Sequence, residues 1–275
     1  MLRSFQTGVS GIQQFQQRLD VIANNIANVN TTGFKTGRTE LADSFSQTLQ
    51  SAGTGGAMQV GTGVQTASIQ NDYSQGAIGR TGVKTDLAVS GDGFFVVRNS
   101  GGESFATRAG EFRINDAGYL INSQGLRVQG FADAGLSTRG DILIDAAGAP
   151  ATAAAGASVV NFAIGSDGKV NVRLSDGTEF IRGQVLMQRF RDPQALTKEG
   201  DNLLSGFAAA GALTQTEASG TNGLGRIESG SLEFSNVDLA GEMTDLITTQ
   251  RAFQANARIV TTSDEVLQEL VNLKR

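Results

Sequence analysis

Leu239, Met243, Leu246, Gln250, Phe253, Ala257, Val260, Asp264, Leu267 and Val271 recur on alternating steps of four and three. That spacing is the seam of a coiled coil, a narrow apolar stripe that seeks a partner helix. The other end of the chain repeats it. Leu2, Phe5, Val9, Ile12, Leu19, Ala23 and Ile26 keep the same steps, with Gln16 breaking the row. Gln250 and Asp264 fall on the C-terminal seam, where a polar residue sets register at some cost in stability. The alternative is a local shift of the seam, with Ile247 or Val266 taking over.

The seams predict two helices. The first runs from about Ser4 to Thr31, with Gly33 placed as its C-cap glycine. Its asparagines, Asn24, Asn25, Asn28 and Asn30, are poor helix formers. They mark either a fraying helix end or amides that bond to neighbouring chains. The second helix starts near Ser235 to Asp238, with Ser235 or Asn236 as cap. Acidic Asp238, Glu242 and Asp245 open it, and Lys274 and Arg275 close it, in keeping with the helix dipole. It makes a rod of about 50 Å, long against a usual helix of roughly 11–12 residues.

Between the seams the hydrophobic period changes to two. Candidate strands are 86–89, 93–98, 104–108, 111–114, 126–131, 142–145, 159–164, 170–174 and 179–190. Asp92-Gly93, Asp167-Gly168 and Asp176-Gly177 are tight-turn dipeptides between them. The chain holds 36 glycines and only 2 prolines, as many tight turns require. The alanine- and glycine-rich stretch 146–158 reads as a surface loop. Residues 34–75 read as an extended connector. Within it Leu41, Phe45 and Leu49, spaced four apart, predict a short amphipathic helix.

The expected architecture is therefore mixed α and β. Residues 1–33 and 235–275 form helices that pair as a coiled-coil-like layer, residues 34–75 connect, and residues 76–234 form a central all-β domain.

Composition narrows the function. The 275 residues are 39% hydrophobic with a mean hydropathy of −0.12, enough for a core. No apolar run reaches the ~18 residues of a membrane span, and the amphipathic start lacks the core of a secretory signal peptide. Without cysteine there are no disulfides or thiolate sites. Without histidine the commonest general base and metal ligand are missing. A net charge of −5 argues against nucleic acid and anionic membranes as partners. No phosphate-binding loop, dinucleotide fingerprint, nucleophile elbow or calcium loop is present. No catalytic residue, metal ligand or cofactor is predicted. A secreted β-rich hydrolase would need a paired carboxylate site, and the aspartates at hand are explained by turns.

Several ordered motifs make a specific match. Gly11, then Leu19-Asp20-Val21-Ile22-Ala23-Asn24-Asn25-Ile26-Ala27-Asn28-Val29-Asn30-Thr31-Thr32-Gly33-Phe34-Lys35, resembles the N-terminal signature of the bacterial flagellar rod and hook proteins. Ser235-Asn236-Val237-Asp238-Leu239 and Gln250-Arg251-Ala252-Phe253-Gln254-Ala255-Asn256 resemble their C-terminal signature. Asp86 to Phe95 and Thr107 to Phe112 fit the same family.

Within that family the opening, the Ala42-Asp43-Ser44-Phe45 stretch and the ending look most like a short hook protein. The outer insert of many hook proteins is replaced here by the loop at 146–158, which leaves a distal rod protein as the alternative. The resemblance implies a homopolymeric helical tube, its terminal helices lining a central channel and its β domain outside. It also implies contacts with adjacent axial proteins (rod, hook cap and hook–filament junction). Export would pass through the flagellar secretion apparatus without a cleaved signal peptide, to a place in the hook or basal body beyond the cell envelope. The assembly residues expected on this reading are Leu2, Phe5, Val9, Ile12, Leu19, Ile26, Leu239, Met243, Leu246, Phe253, Ala257, Val260, Leu267 and Val271.

Overall fold

The structure, a computed structural model, describes residues 2–53, 56–151, 153–154, 156–212, 217–221 and 223–273; the side chains of residues 2, 47–53 and 56–59 fall outside the description. The chain divides into two units. One comprises Met1–Val29, Lys35–Asp72 and Val237–Arg275, the other Asn30–Phe34 and Tyr73–Asn236.

The first unit holds both long helices, α1 (Leu2–Ala27) and α2 (Leu239–Leu273). The cap of α2 is Asp238 rather than Ser235 or Asn236. Its Oδ1 accepts from Ala240 N at 3.1 Å and its carbonyl from Glu242 N at 2.9 Å. The carboxylate thereby satisfies a free N–H of the first turn and complements the dipole. Lys274 and Arg275 lie outside the described residues.

The helix expected around Leu41, Phe45 and Leu49 is not there. Gly37–Asp43 pairs antiparallel with Val64–Asn71, with a bulge between Glu40 and Leu41. Ser46–Gly53 pairs with Gly56–Gly61. Both ribbons belong to the stretch read as a connector.

The second unit is built on a twelve-stranded antiparallel sheet among the described residues. Its central path runs Val159–Ile164, Lys169–Leu174, Glu179–Gln188, Arg127–Phe131, Phe94–Arg98 and Ser104–Thr107. These strands match the expected ones closely. The strand predicted at 142–145 lies instead at Arg139–Asp141. The turn dipeptides hold, with Gly93, Gly168 and Gly177 all at positive φ. Alternate residues send Phe95, Val97, Val128, Val172 and Met187 into the main core, all nearly or fully inaccessible. The stretch 146–158 is more than a surface loop, because Ala146, Ala149, Ala153 and Ala157 pack against that core.

Gly33 is not a helix cap, since α1 ends six residues earlier. It sits at φ +67°, and its N–H donates to Glu233 O at 2.8 Å. A Cβ there would lie 2.5 Å from Ala109 N. Left-handed strain and backbone overlap therefore add. Gly33→Ala is expected to destabilise the second unit by about 2 kcal/mol or more. Denaturant unfolding followed by tyrosine fluorescence checks this, because both tyrosines, Tyr73 and Tyr119, lie in that unit.

Candidate assembly interface

The two helices of the first unit pack antiparallel. Buried Gly8 and Gly11, then Ile22 and Asn25, form the face of α1 that meets α2. A Cβ on Gly8 would come within 3.0 Å of Val260 Cγ2, and one on Gly11 within 3.0 Å of Asn256 Cγ. Glycine within a helix costs roughly 1 kcal/mol relative to alanine. Here its missing side chain lets α2 approach, and the close contact offsets that cost. The opposite face of the contact carries Leu246, Thr249, Phe253, Asn256 and Val260, of which Thr249 is fully buried and the rest half-buried.

Sequence spacing placed the α1 seam one residue away, at Phe5, Val9, Ile12, Leu19 and Ile26. One residue is about 100° of helix. Those five side chains are half-buried in the single chain and flank the glycine face. The side chain of Leu2 lies outside the described residues. On α2 the expected residues divide. Leu246, Phe253, Ala257, Val260 and Leu267 are half-buried, whereas Leu239, Met243 and Val271 are 44%, 44% and 64% exposed. Ile247, Ile259, Val266 and Leu270 are exposed as well. Gln250 and Asp264 face solvent, and Asp264 Oδ2 accepts from Gln268 Nε2 at 3.0 Å. A single chain thus leaves a long run of large apolar side chains on α2 in water, which marks an interaction surface.

A polar cluster ties three segments together. Asn25, 1% exposed, binds the backbone of Gly37 in both directions. Its Nδ2 donates to Gly37 O at 2.8 Å and its Oδ1 accepts from Gly37 N at 3.0 Å. The same Nδ2 donates to Glu242 Oε1 at 3.0 Å, which also accepts from Thr36 Oγ1 at 3.3 Å. Asn25 therefore uses its amide within its own chain, not on a neighbour. The Arg18–Asp245 pair, 3.5 Å apart and half-exposed, adds little. The Gly37–Asp43 and Val64–Asn71 ribbon lies along α1, where Thr66 Oγ1 donates to Gln17 Oε1 at 2.7 Å and also bonds Gln14. Sequence reading missed this cluster because Asn25 and Glu242 are 217 residues apart and each has an adequate local explanation. It missed Gly8 and Gly11 as contact residues because an absent side chain leaves no mark on an apolar pattern.

Burial raises the Glu242 carboxyl above its ordinary value, and Asp245 and Asp238 add to the rise, against the pull of the Asn25 and Thr36 bonds. The folded state therefore holds this proton to a higher pH than the unfolded chain does. Its contribution to stability is present below the unfolded value, 4.5, and is lost as pH rises through the raised folded value. Glu242→Gln keeps an acceptor and removes the titration. The pH dependence of helix melting, read by far-ultraviolet circular dichroism, should flatten over that window. An unchanged profile would assign the titration elsewhere.

Among the described residues no cluster of acidic, histidine or cysteine side chains could hold a metal ion, and no helix is long and apolar enough to cross a membrane.

Three family models match the chain. Residues 5–35 match one described as flagella basal body rod protein. Residues 88–172 match the D1 domain of flagellar hook protein FlgE/F/G, and residues 228–273 the C-terminal region of flagellar basal body rod FlgEFG protein. Among curated relatives, the flagellar basal-body rod protein FlgG of Bacillus subtilis is 40% identical over 282 positions, covering all of both chains. FlgG of Borreliella burgdorferi is 35% identical over 287 positions, again covering all of both. The flagellar hook protein FlgE of Borreliella burgdorferi is 29% identical, in an alignment 443 positions long.

Proposed function

This chain belongs to the bacterial flagellar rod and hook protein family, a family of structural proteins and not of enzymes, and from that premise we propose that it is a subunit of the distal rod, a rigid drive shaft within the basal body. The observation that carries the choice is end-to-end similarity at matching length. The rod relatives align over 282 and 287 positions with a chain of 275 residues. The hook relative needs 443 positions at lower identity. The hook reading of the terminal motifs gives way on this point, because hook and rod share those motifs and differ in the region between them.

The physical reading of assembly rests on the helices. In the polymer α1 and α2 form a coiled-coil-like layer lining the channel, with residues 1–33 and 235–275 as its domain. The exposed run on α2, from Leu239, Met243 and Ile247 to Val266 and Leu270, packs against α1 of other copies along Phe5, Val9, Ile12, Leu19 and Ile26. A contact between different surfaces of identical subunits that does not close into a ring propagates as an open helix. Other copies are the main partner, adjacent axial proteins cap the polymer's ends, and subunits arrive through the flagellar export apparatus.

Electron microscopy of the concentrated purified protein tests this. Straight tubes are the expected result. Curved tubes would restore the hook assignment, and the absence of any polymer would sink self-assembly through these helices.

A further inference from the structure

The α2 helix carries charges that its own chain leaves unanswered. At about 100° of rotation per residue, Arg251, Arg258, Glu265 and Glu269 fall on one stripe, on the side of α2 opposite Thr249, Phe253 and Val260. All four are exposed, and among the described residues none of them enters an ion pair. The helix itself offers them no opposite charge. Three and four residues from Arg251 stand Ile247, Thr248, Gln254 and Ala255, and around Arg258 stand Gln254, Ala255, Thr261 and Thr262. Glu265 and Glu269 are four apart, a spacing at which like charges repel. A solvated, salt-bridged helix face alternates its signs at that spacing. Here the signs are segregated, two cations and then two anions along the axis.

The stripe is bordered by exposed apolar side chains on both flanks. Met243 and Ile247 lie along one edge, and Ile259, Val266 and Leu270 along the other. Such a helix offers apolar contact to a neighbour on either side. Helices gathered through these flanks bring their charged stripes next to one another. In level register, parallel copies set arginine beside arginine and glutamate beside glutamate. An axial shift removes the conflict. Fourteen residues bring Arg251 of one copy level with Glu265 of the next, and eleven bring Arg258 level with Glu269. The two agree on one displacement of roughly 17–21 Å, a spread that long side chains absorb.

We propose that this stripe is a self-complementary docking surface for the α2 helix of a second copy, and that it fixes the axial stagger of neighbouring copies by pairing Arg251 and Arg258 with Glu265 and Glu269. Its role rests on the assembly through α2 proposed above, to which it adds the choice of one stagger. The apolar flanks supply adhesion but tolerate sliding, because apolar contact is non-directional. One exposed ion pair adds little affinity. The charges act instead by excluding level register, where like signs meet, and that exclusion repeats at every contact of the polymer. An antiparallel partner would also match Arg258 with Glu265, but a two-fold contact closes on itself and ends growth.

Two charge-reversed variants of the full chain test the pairing, Arg251→Glu with Arg258→Glu, and Glu265→Arg with Glu269→Arg. Each carries a single sign along the stripe. The threshold concentration for polymer, read by sedimentation, is expected to rise roughly tenfold or more in either one alone. Mixed in equal amounts, the two should polymerise near the parent's threshold, because each supplies the sign that the other lacks. The variant with all four charges exchanged should polymerise by itself. Circular dichroism of the dispersed proteins should show the parent's helicity throughout, since the charges have no partner within the chain. Reduced helicity in a reversed variant would place their role inside the subunit and overturn the pairing. So would reversed variants that polymerise as the parent does, or a mixture no better than its components. Those three results leave assembly through α2 standing, whereas a parent that forms no polymer removes both.

Discussion

Glu233→Ala is expected to destabilise the second unit by about 3–5 kcal/mol, the usual consequence of removing one partner from a buried ion pair. Arg108 Nη1 lies 3.2 Å from Glu233 Oε2, with side chains only 5% and 0% exposed. The pair is further built in. Arg108 Nη2 donates to Gly91 O at 2.9 Å, and Glu233 Oε1 accepts from Gly76 N at 3.0 Å. The guanidinium carbon lies 5.1 Å from the centroid of the Phe94 ring. Removing the carboxylate strands a cation beside an aromatic face and leaves the Gly76 N–H without this acceptor. Against a total stability of roughly 5–15 kcal/mol, that loss can unfold the unit at ordinary temperatures. Because much of the cost is a buried charge left behind, Arg108→Met combined with Glu233→Leu should recover a large part of it. Urea unfolding of the full chain, followed by tyrosine fluorescence, measures both. A double variant as unstable as Glu233→Ala would show that the backbone contacts of the pair matter more than its charges.

The salt bridge illustrates what a sequence conceals. Arg108 and Glu233 are 125 residues apart, and nothing local announces their meeting. The strands were legible where alternation and a turn signal coincide. Val159–Ile164 and Lys169–Leu174 flank Asp167-Gly168, and their hairpin forms as read. The ribbon of Gly37–Asp43 and Val64–Asn71 was missed for a different reason. A spacing of four, as at Leu41, Phe45 and Leu49, is about one helical turn and also two strand repeats, so it fits both periods equally. Only intervening residues can decide, and here Ala42, Asp43 and Ser44 are neutral. The helices themselves were plain from their length and period. Which face of α1 meets α2 was not, because apolar count points at Phe5 and Ile12 whereas the contact is made where Gly8 and Gly11 permit close approach.

Phe253→Asp is expected to abolish polymerisation while the second unit stays folded. Phe253 is half-buried on α2, four residues after Thr249, which is 2% exposed, and three before Asn256, whose side chain faces Gly11. The positions one turn away on α2, Thr249, Gln250, Asn256 and Ala257, offer a carboxylate there no cation, and burying it unpaired costs several kcal/mol. The helix pair is poorly placed to absorb that loss, since an isolated helix in water gains little by itself and depends on its packed face. The sheet core of Leu87, Phe95, Val97 and Met187 belongs to the other unit. Sedimentation and electron microscopy read the polymer, and tyrosine fluorescence reads the second unit alone. Phe253→Leu, which keeps the apolar contact, should still polymerise, and Gln250→Asp, at an exposed position one turn away, separates added charge from buried charge. Tubes formed by Phe253→Asp would remove the paired helices from the assembly contact. Loss of the tyrosine signal would show instead that the helices and the sheet fold as one cooperative whole, so that the seam stabilises the subunit before it joins subunits together.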